Sequence, residues 1–188
     1  MATKKPIKGQ VTNRNFLAPT GFRFQVNRAP KLAFFGSAVN LPALNFPEAQ
    51  MNTYLKHIPL PGTVMDFEDL TIRFLVDENL ENYMEIQNWM RGIAFPESLQ
   101  EIYDFQKEDY DLKQPDRSQL NLYSDGTLTI LDSSLNEKFK VVFENLFPVN
   151  LTTLDFDATQ TDLEYFTAEV TFKYTIYNIR EISCNPCV

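Results

Sequence analysis

Asp66-Phe67-Glu68-Asp69-Leu70-Thr71-Ile72-Arg73-Phe74-Leu75-Val76-Asp77-Glu78 decides how the rest of the chain is read. Leu70, Ile72, Phe74 and Val76 fall on one face of an extended segment, and Thr71 and Arg73 on the other. That period of two predicts a half-buried strand. After Asn79 the period becomes about 3.6. Leu80, Tyr83, Met84, Ile86, Met90 and Ile93 then supply an apolar stripe, with Trp89 beside it. A helix over about residues 79–91 follows, with Asp77 as its N-cap and Gly92 as its stop. Carboxylates at Asp77 and Glu78 suit the positive end of that helix dipole. The aromatic and Met content could line a ligand pocket; packing across a sheet is the plainer reading.

Upstream the pattern is β from Gly21. Phe22, Phe24 and Val26 alternate with Arg23, Gln25 and Asn27. Leu32-Ala33-Phe34-Phe35-Gly36 reads as a second short β run. Val39 to Leu44 follows, where Pro42 points to an edge or a bulge. Residues 48–62 are mixed, and Ile58-Pro59-Leu60-Pro61-Gly62 reads as an extended approach and turn. His57, the only histidine, has no nearby Cys or paired acid and reads as structural.

Downstream, residues 97–119 are acidic, with Glu97, Glu101, Asp104, Glu108, Asp109, Asp111 and Asp116 spaced among Tyr103, Phe105 and Tyr110. A short helix near 97–106 and then a long loop are expected. The spacing of a calcium loop is missing from it. Asp125-Gly126 predicts a turn between strands at 120–123 and 127–131, and Asp132 to Asn136 a second turn. Phe139, Val141 and Phe143 alternate with polar neighbours. Asn145 to Leu151 and Leu154 to Asp157 are read as separate pieces, and 157–164 as a polar turn. The closing strand is the cleanest. Phe166, Ala168, Val170, Phe172, Tyr174 and Ile176 face one way, and Thr167, Glu169, Thr171, Lys173, Thr175 and Tyr177 the other. It is about twice the usual strand length, and its polar face predicts a sheet with one side in water.

The 188 residues suit one domain with a real core. The expected organisation is a flexible arm over 1–15, a β domain over 16–180 carrying the acidic insertion at 97–119, and a tail over 181–188. The hydrophobic share of 44%, with 16 Phe and 8 Tyr, excludes a disordered chain. A net charge of −8 argues against gripping nucleic acid phosphates. It leaves room for a surface past which nucleic acid slides. With 6 Gly and neither a GxxxxGK[ST] nor a GxGxxG motif, no phosphate cradle is expected. No apolar run approaches the roughly 20 residues that span a bilayer, and no secretory signal is expected at the basic start. Cys184 and Cys187 form a CxxC without a second ligand pair. It reads as an unengaged tail, or as a weak site shared between subunits. No serine elbow, HExxH or Cys–His partnership occurs. The expectation is no catalytic residue, no cofactor and no metal, although the separation of paired carboxylates is not legible in sequence.

Two segments carry a resemblance. Phe67 to Ile72 through Asp77-Glu78, with the helix to Trp89, resembles the tail tube proteins of contractile-tailed, T4-like bacteriophages. Glu144-Asn145-Leu146-Phe147-Pro148-Val149-Asn150-Leu151 with Leu154-Asp155-Phe156-Asp157 resembles the turn before that family's last strands. The segment from Phe166 to Asn178 matches in position, and Gly21 to Leu44 more weakly. Residues 97–136 and the Cys-containing end depart from the family pattern. The resemblance implies a mainly β fold: an antiparallel β-sandwich or distorted barrel with one flanking α-helix. It implies hexameric rings whose inner strands join into one barrel, stacked into a tube inside a sheath. The implied partners are further copies of the chain, the sheath, the baseplate and the tail terminator. DNA would pass without specific binding, with no membrane, in a virion tail assembled in the host cytoplasm. Thr167, Glu169, Thr171, Lys173 and Thr175 become candidates for the channel wall. Asp66, Glu68 and Asp69 become an inter-ring loop, or simply solvated acids. The alternatives are a single-ring baseplate initiator or tail terminator of the same fold, a tube subunit of a bacterial contractile injection system, and a carbohydrate-active β-sandwich using Tyr103, Asp104 or Tyr110.

Overall fold

A computed structural model of the chain describes residues 15–94, 96–98, 100, 122–156, 159 and 165–182. Its elements run β1 (Phe22–Val26), α1 (Pro30–Phe34), β2 (Gly36–Val39), β3 (Leu44–Asn45), β4 (Glu48–Asn52), β5 (His57–Pro61), β6 (Asp66–Phe67), β7 (Leu70–Leu75), α2 (Glu81–Ala94), β8 (Ser124–Leu131), β9 (Glu137–Leu151), β10 (Thr167–Lys173) and β11 (Ile176–Glu181). The main sheet has the order β1-β8-β9-β10-β7-β2, with β11 also on β9. Every pairing is antiparallel.

The long strand β9 organises this topology. Its first part pairs with β8 and β11, and its last part with β10. The sheet therefore folds about β9 into two layers, β1-β8-β9-β11 and β9-β10-β7-β2. The fold point is Asn145, whose φ is +56°. Before it Val141 and Phe143 are buried; after it Leu146 and Pro148 are. One extra residue shifts the side-chain phase and bends the strand. Neighbours bend with it. The Asn145 amide donates to the Asp125 carboxylate at 3.3 Å and its side chain donates to Thr175 Oγ1 at 3.3 Å. The Thr175 N–H donates to the Glu144 carbonyl. Asparagine tolerates the left-handed region; β-branched residues do not. Asn145→Val is expected to cost about 1–2 kcal/mol, and Asn145→Gly much less, read by urea denaturation.

The corner corrects three expectations. Glu137 to Leu151 is one strand rather than two pieces. The closing strand breaks at Tyr174-Thr175, where it must follow the bend. Beyond the break the phase is reversed: Ile176 is exposed, while Tyr177 packs against Phe67, Phe143 and Tyr174. Asp125-Gly126 makes no hairpin. It lies inside β8 at a register shift, and a Cβ on Gly126 would touch Leu146 and Phe24. Glycine serves close approach there. The turn at Asp132 to Asn136 is as expected, with Leu135 at φ +61°.

Beside the expected α2 there is a helix, α1, that the sequence pattern did not suggest. Leu32 to Gly36 is not a strand: Pro30 sits in the first turn of a short helix that buries Leu32, where proline's missing N–H costs nothing. Its Lys31 N–H is taken by Glu85 of α2 at 3.3 Å. Helix α2 begins later than expected. The Asp77 carbonyl accepts from Leu80, and the Leu80 carbonyl accepts from Met84. Leu80, at φ +58°, therefore holds the N-cap place. Gly92 is not a stop but a buried position inside the helix. The buried stripe is Asn82, Ile86, Trp89 and Gly92, while Leu80 and Met84 are exposed. Trp89 stacks near Phe172 at 5.9 Å and donates to the Leu122 carbonyl. The helix thus packs across the sheet, as its pattern suggested.

The core joins Phe24, Val26, Leu128, Val141, Phe143 and Leu146 of one layer to Leu70, Ile72, Phe74, Val170 and Phe172 of the other. The turn at 157–164 lies, Thr159 apart, outside the described residues. So do nearly all of the N-terminal arm, the greater part of the 97–119 insertion with Tyr103, Asp104 and Tyr110, and residues 183–188 of the tail with Cys184 and Cys187.

Candidate assembly surfaces

The outer face of β10 and β7 is polar by strand alternation. Ala168, Val170 and Phe172 point inward; Thr167 and Lys173 are exposed, and Glu169 and Thr171 half-buried. Cross-strand register sets Glu169 opposite Arg73, and Thr171 opposite Thr71 on one side and Asn150 on the other. Arg73 and Glu169 form an ion pair at 3.1 Å, and Lys173 and Asp69 another at 3.1 Å. Each cation of this face thus meets an acid. Such exposed pairs add about 0–1 kcal/mol each; their larger effect is to leave the face near neutral. Four of the five candidates for the wall share this face. Thr175 does not: it lies in the break before β11, bonded to Asn145.

Asp66 and Glu68 share Asn45 as a neighbour, and Asp69 has a partner of its own. Asp66 is in β6, opposite Asn45. Glu68 accepts from Asn45 Nδ2 at 3.0 Å, and Asp69 pairs with Lys173. With Met65, Phe67 and Tyr174 they surround a shallow cleft of about 250 Å³. The Tyr174 hydroxyl donates to the Glu68 carbonyl at 2.8 Å. Burial, then the neighbouring Tyr177, Asp69 and Glu68, push its pKa up to about 12. The sign follows from linkage: the folded state holds this proton longer than the unfolded chain does. The contribution is complete below about pH 10, the ordinary tyrosine range, and is lost as pH rises towards 12. Urea midpoints are expected to fall over that window, and Tyr174→Phe to flatten part of the fall.

Beside this cleft an arm leaves the body. Its root is the β3–β6 ribbon, tied by the Glu68 N–H to the Ala43 carbonyl. Its blade is the β4–β5 hairpin, exposed along its whole length. Sequence reasoning missed the hairpin because Pro59 and Pro61 read as breakers. The signal that could have found it is the matched run of five residues on each side of Thr53-Tyr54-Leu55-Lys56. His57 lies at its base of the turn, bonded to Asn52 at 2.6 Å, and has a structural part.

The sheet also ends openly. Among the described residues β1, β2 and β11 each pair on one edge only, and no closed barrel forms. Asn40, just past β2, completes the β7 ladder with its side chain. It accepts from the Thr71 N–H at 2.6 Å and donates to the Asp69 carbonyl at 3.2 Å. Among the described residues no group of His, Cys, Asp and Glu side chains could hold a metal ion, and no helix is long and apolar enough to cross a membrane.

Open sheet edges, a neutral polar sheet face and a projecting arm are the features of a structural assembly subunit. The family model of phage tail tube protein matches residues 7–180, and the chain belongs to that family. It is a structural tail component rather than an enzyme. This sets aside the hydrolytic reading of the acidic insertion. Three solved structures share the fold. One is from the cap that terminates the tube of the anti-feeding prophage: 14% identity, 97% of this chain and 100% of that one, TM-score 0.55. A second is from the anti-feeding prophage baseplate: 12% identity, 86% and 92%, TM-score 0.53. A third is from the extended sheath–tube complex of the PVC extracellular contractile injection system: 15% identity, 95% and 100%, TM-score 0.52. The comparison with curated proteins found no match.

Proposed function

We propose that this chain is the repeating subunit of a contractile phage tail tube. Hexameric rings stack around a channel through which DNA leaves the virion. The observation that carries the reading is the β9-β10-β7-β2 layer. It has one face in the core and one in water, and its outermost strand β2 has no partner on the far side among the described residues. Exposed edges invite pairing with another chain. Ring closure satisfies them, and turns the neutral face of Arg73, Glu169, Thr171 and Lys173 towards the bore. Phosphates passing such a wall meet cations that are already paired, so DNA slides without being held. Sheath, baseplate and terminator then meet the outer surface and the two ends, and assembly takes place in the host cytoplasm.

A single-ring terminator is the second reading, favoured by the full-length likeness to a tube-terminating cap. Electron microscopy of the purified protein separates them. Tubes that lengthen with concentration support the tube subunit, and rings that never stack support the terminator. Monomers at every concentration contradict both.

A further inference from the structure

The two layers share one core, so their outer faces point opposite ways. On the face of β10 and β7 each cation meets an acid. The outer face of β1-β8-β9-β11 is different. Residues directly opposite in antiparallel strands share a face. The register sets Arg23 of β1 opposite Thr129 of β8, Thr129 opposite Lys140 of β9, and Lys140 opposite Arg180 of β11. These four form one row across the sheet. Lys138, two residues before Lys140 on β9, faces the same way. With strands about 4.8 Å apart, the row spans about 14 Å. Thr129 is 5% exposed, because the long stems of Arg23 and Lys140 flank it. The charged ends of those stems remain in water.

One acid serves the row. Glu137 lies 3.8 Å from Arg23 and 3.6 Å from Lys140, both long contacts between exposed groups. Among the described residues Lys138 and Arg180 have no ion pair. Alternation turns Glu181 to the other side of β11, opposite Phe139. The remaining acids of this face stand at its far end, about 14 Å along β9, and are engaged. Glu144 accepts from the Asn178 side chain at 3.3 Å, and Asp125 from the Asn145 N–H at 3.3 Å. Four cations thus gather about one acid, in a chain whose net charge is −8. Net charge alone would call for a basic partner; this row calls for an acidic one.

The direction of the face narrows the occupant. With the β10 and β7 face on the bore, this one looks outward, where a sheath surrounds the tube. We infer that the row of Arg23, Lys140 and Arg180, with Lys138, seats an acidic segment of the sheath subunit. This rests on the tube reading. Exposed ion pairs are weak singly and screened by salt, so such a contact sets the position of the sheath without locking it. Phosphates would also suit a row of cations, but DNA within the bore does not reach this face.

The test cosediments assembled tubes with the sheath protein of the same phage, at low and at high salt. Parent tubes are expected to retain sheath at low salt and to lose it at high salt. Arg180→Glu combined with Lys140→Glu is expected to lower the sheath retained about tenfold. Glu137→Gln is expected to raise it about two- to threefold. Effects of opposite sign separate docking from a loss of folding. Should the doubly reversed chain form no tubes, Lys138→Gln with Arg180→Gln is read in its place, with a loss of about threefold expected. Parent tubes that retain no sheath, variant tubes that retain as much as the parent's, or variants that lose binding to an added DNA duplex but not to sheath overturn this docking and leave the tube reading standing. A parent protein that never forms rings or tubes overturns both.

Discussion

Val39→Pro is expected to abolish ring formation while leaving a folded monomer. The Asn40 N–H donates to the Thr71 carbonyl, and the register sets Ala38 opposite Arg73 and Val39 opposite Ile72. By alternation the N–H groups of Ala38 and Asn40 face β7, and that of Val39 faces away. Proline there removes an outward donor and no internal ladder bond. Ala38 is already extended, so the restriction on the residue before proline is met. Val39 is half-buried, and trimming its packing costs about 1 kcal/mol. Size-exclusion chromatography with light scattering should give a monomer whose circular dichroism matches the parent's. Ile179→Pro is the control. The Ile182 N–H bonds to Lys138, so by the same alternation the Ile179 N–H also points outward, but on β11, in the other layer. Its rings should persist. Parent-like rings from Val39→Pro would show that the β2 edge has no part in the wall.

The second large effect is at the corner of the sheet. Phe143 is fully buried. Its ring lies 6.5 Å from that of Phe24, 5.1 Å from Tyr174 and 5.7 Å from Tyr177. It thus couples β1, β9, β11 and the turn at Tyr174. Phe143→Ala is expected to cost about 3–5 kcal/mol, against a total of about 5–15 kcal/mol for a typical domain. The urea midpoint should fall sharply, and the monomer should lose its cooperative transition at warm temperature. A change below about 1 kcal/mol would mean that the corner relaxes around the missing ring, contrary to the close packing seen there.

The sequence was legible where one physical rule acted alone. Phe22 to Val26, Leu70 to Leu75 and Thr167 to Lys173 alternate because one face is buried, and the structure has strands at all three. It was misread where two rules competed. Pro30 starts a helix, but the apolar run after it looks like a strand. Asp125-Gly126 carries turn chemistry, yet the pairing of β1 and β9 on either side holds it extended. Pro59 and Pro61 look like breakers but sit where their nitrogens face solvent. Asn145 and Leu80 enter the left-handed region for tertiary reasons that no local pattern announces. At the candidate surface, alternation found Glu169, Thr171 and Lys173. Their partners Arg73 and Asp69 needed the register, which joins segments about a hundred residues apart. Thr175 was misplaced because the strand was read as unbroken.

A cryo-electron microscopy reconstruction of the assembled particle tests the central claim most directly, by showing where the outer face of β10 and β7 points. The account predicts that Arg73, Glu169, Thr171 and Lys173 line the bore, with β2 of each copy hydrogen-bonded to a strand of its neighbour. A reconstruction with that face directed outward, or with β2 unpaired between copies, would contradict it.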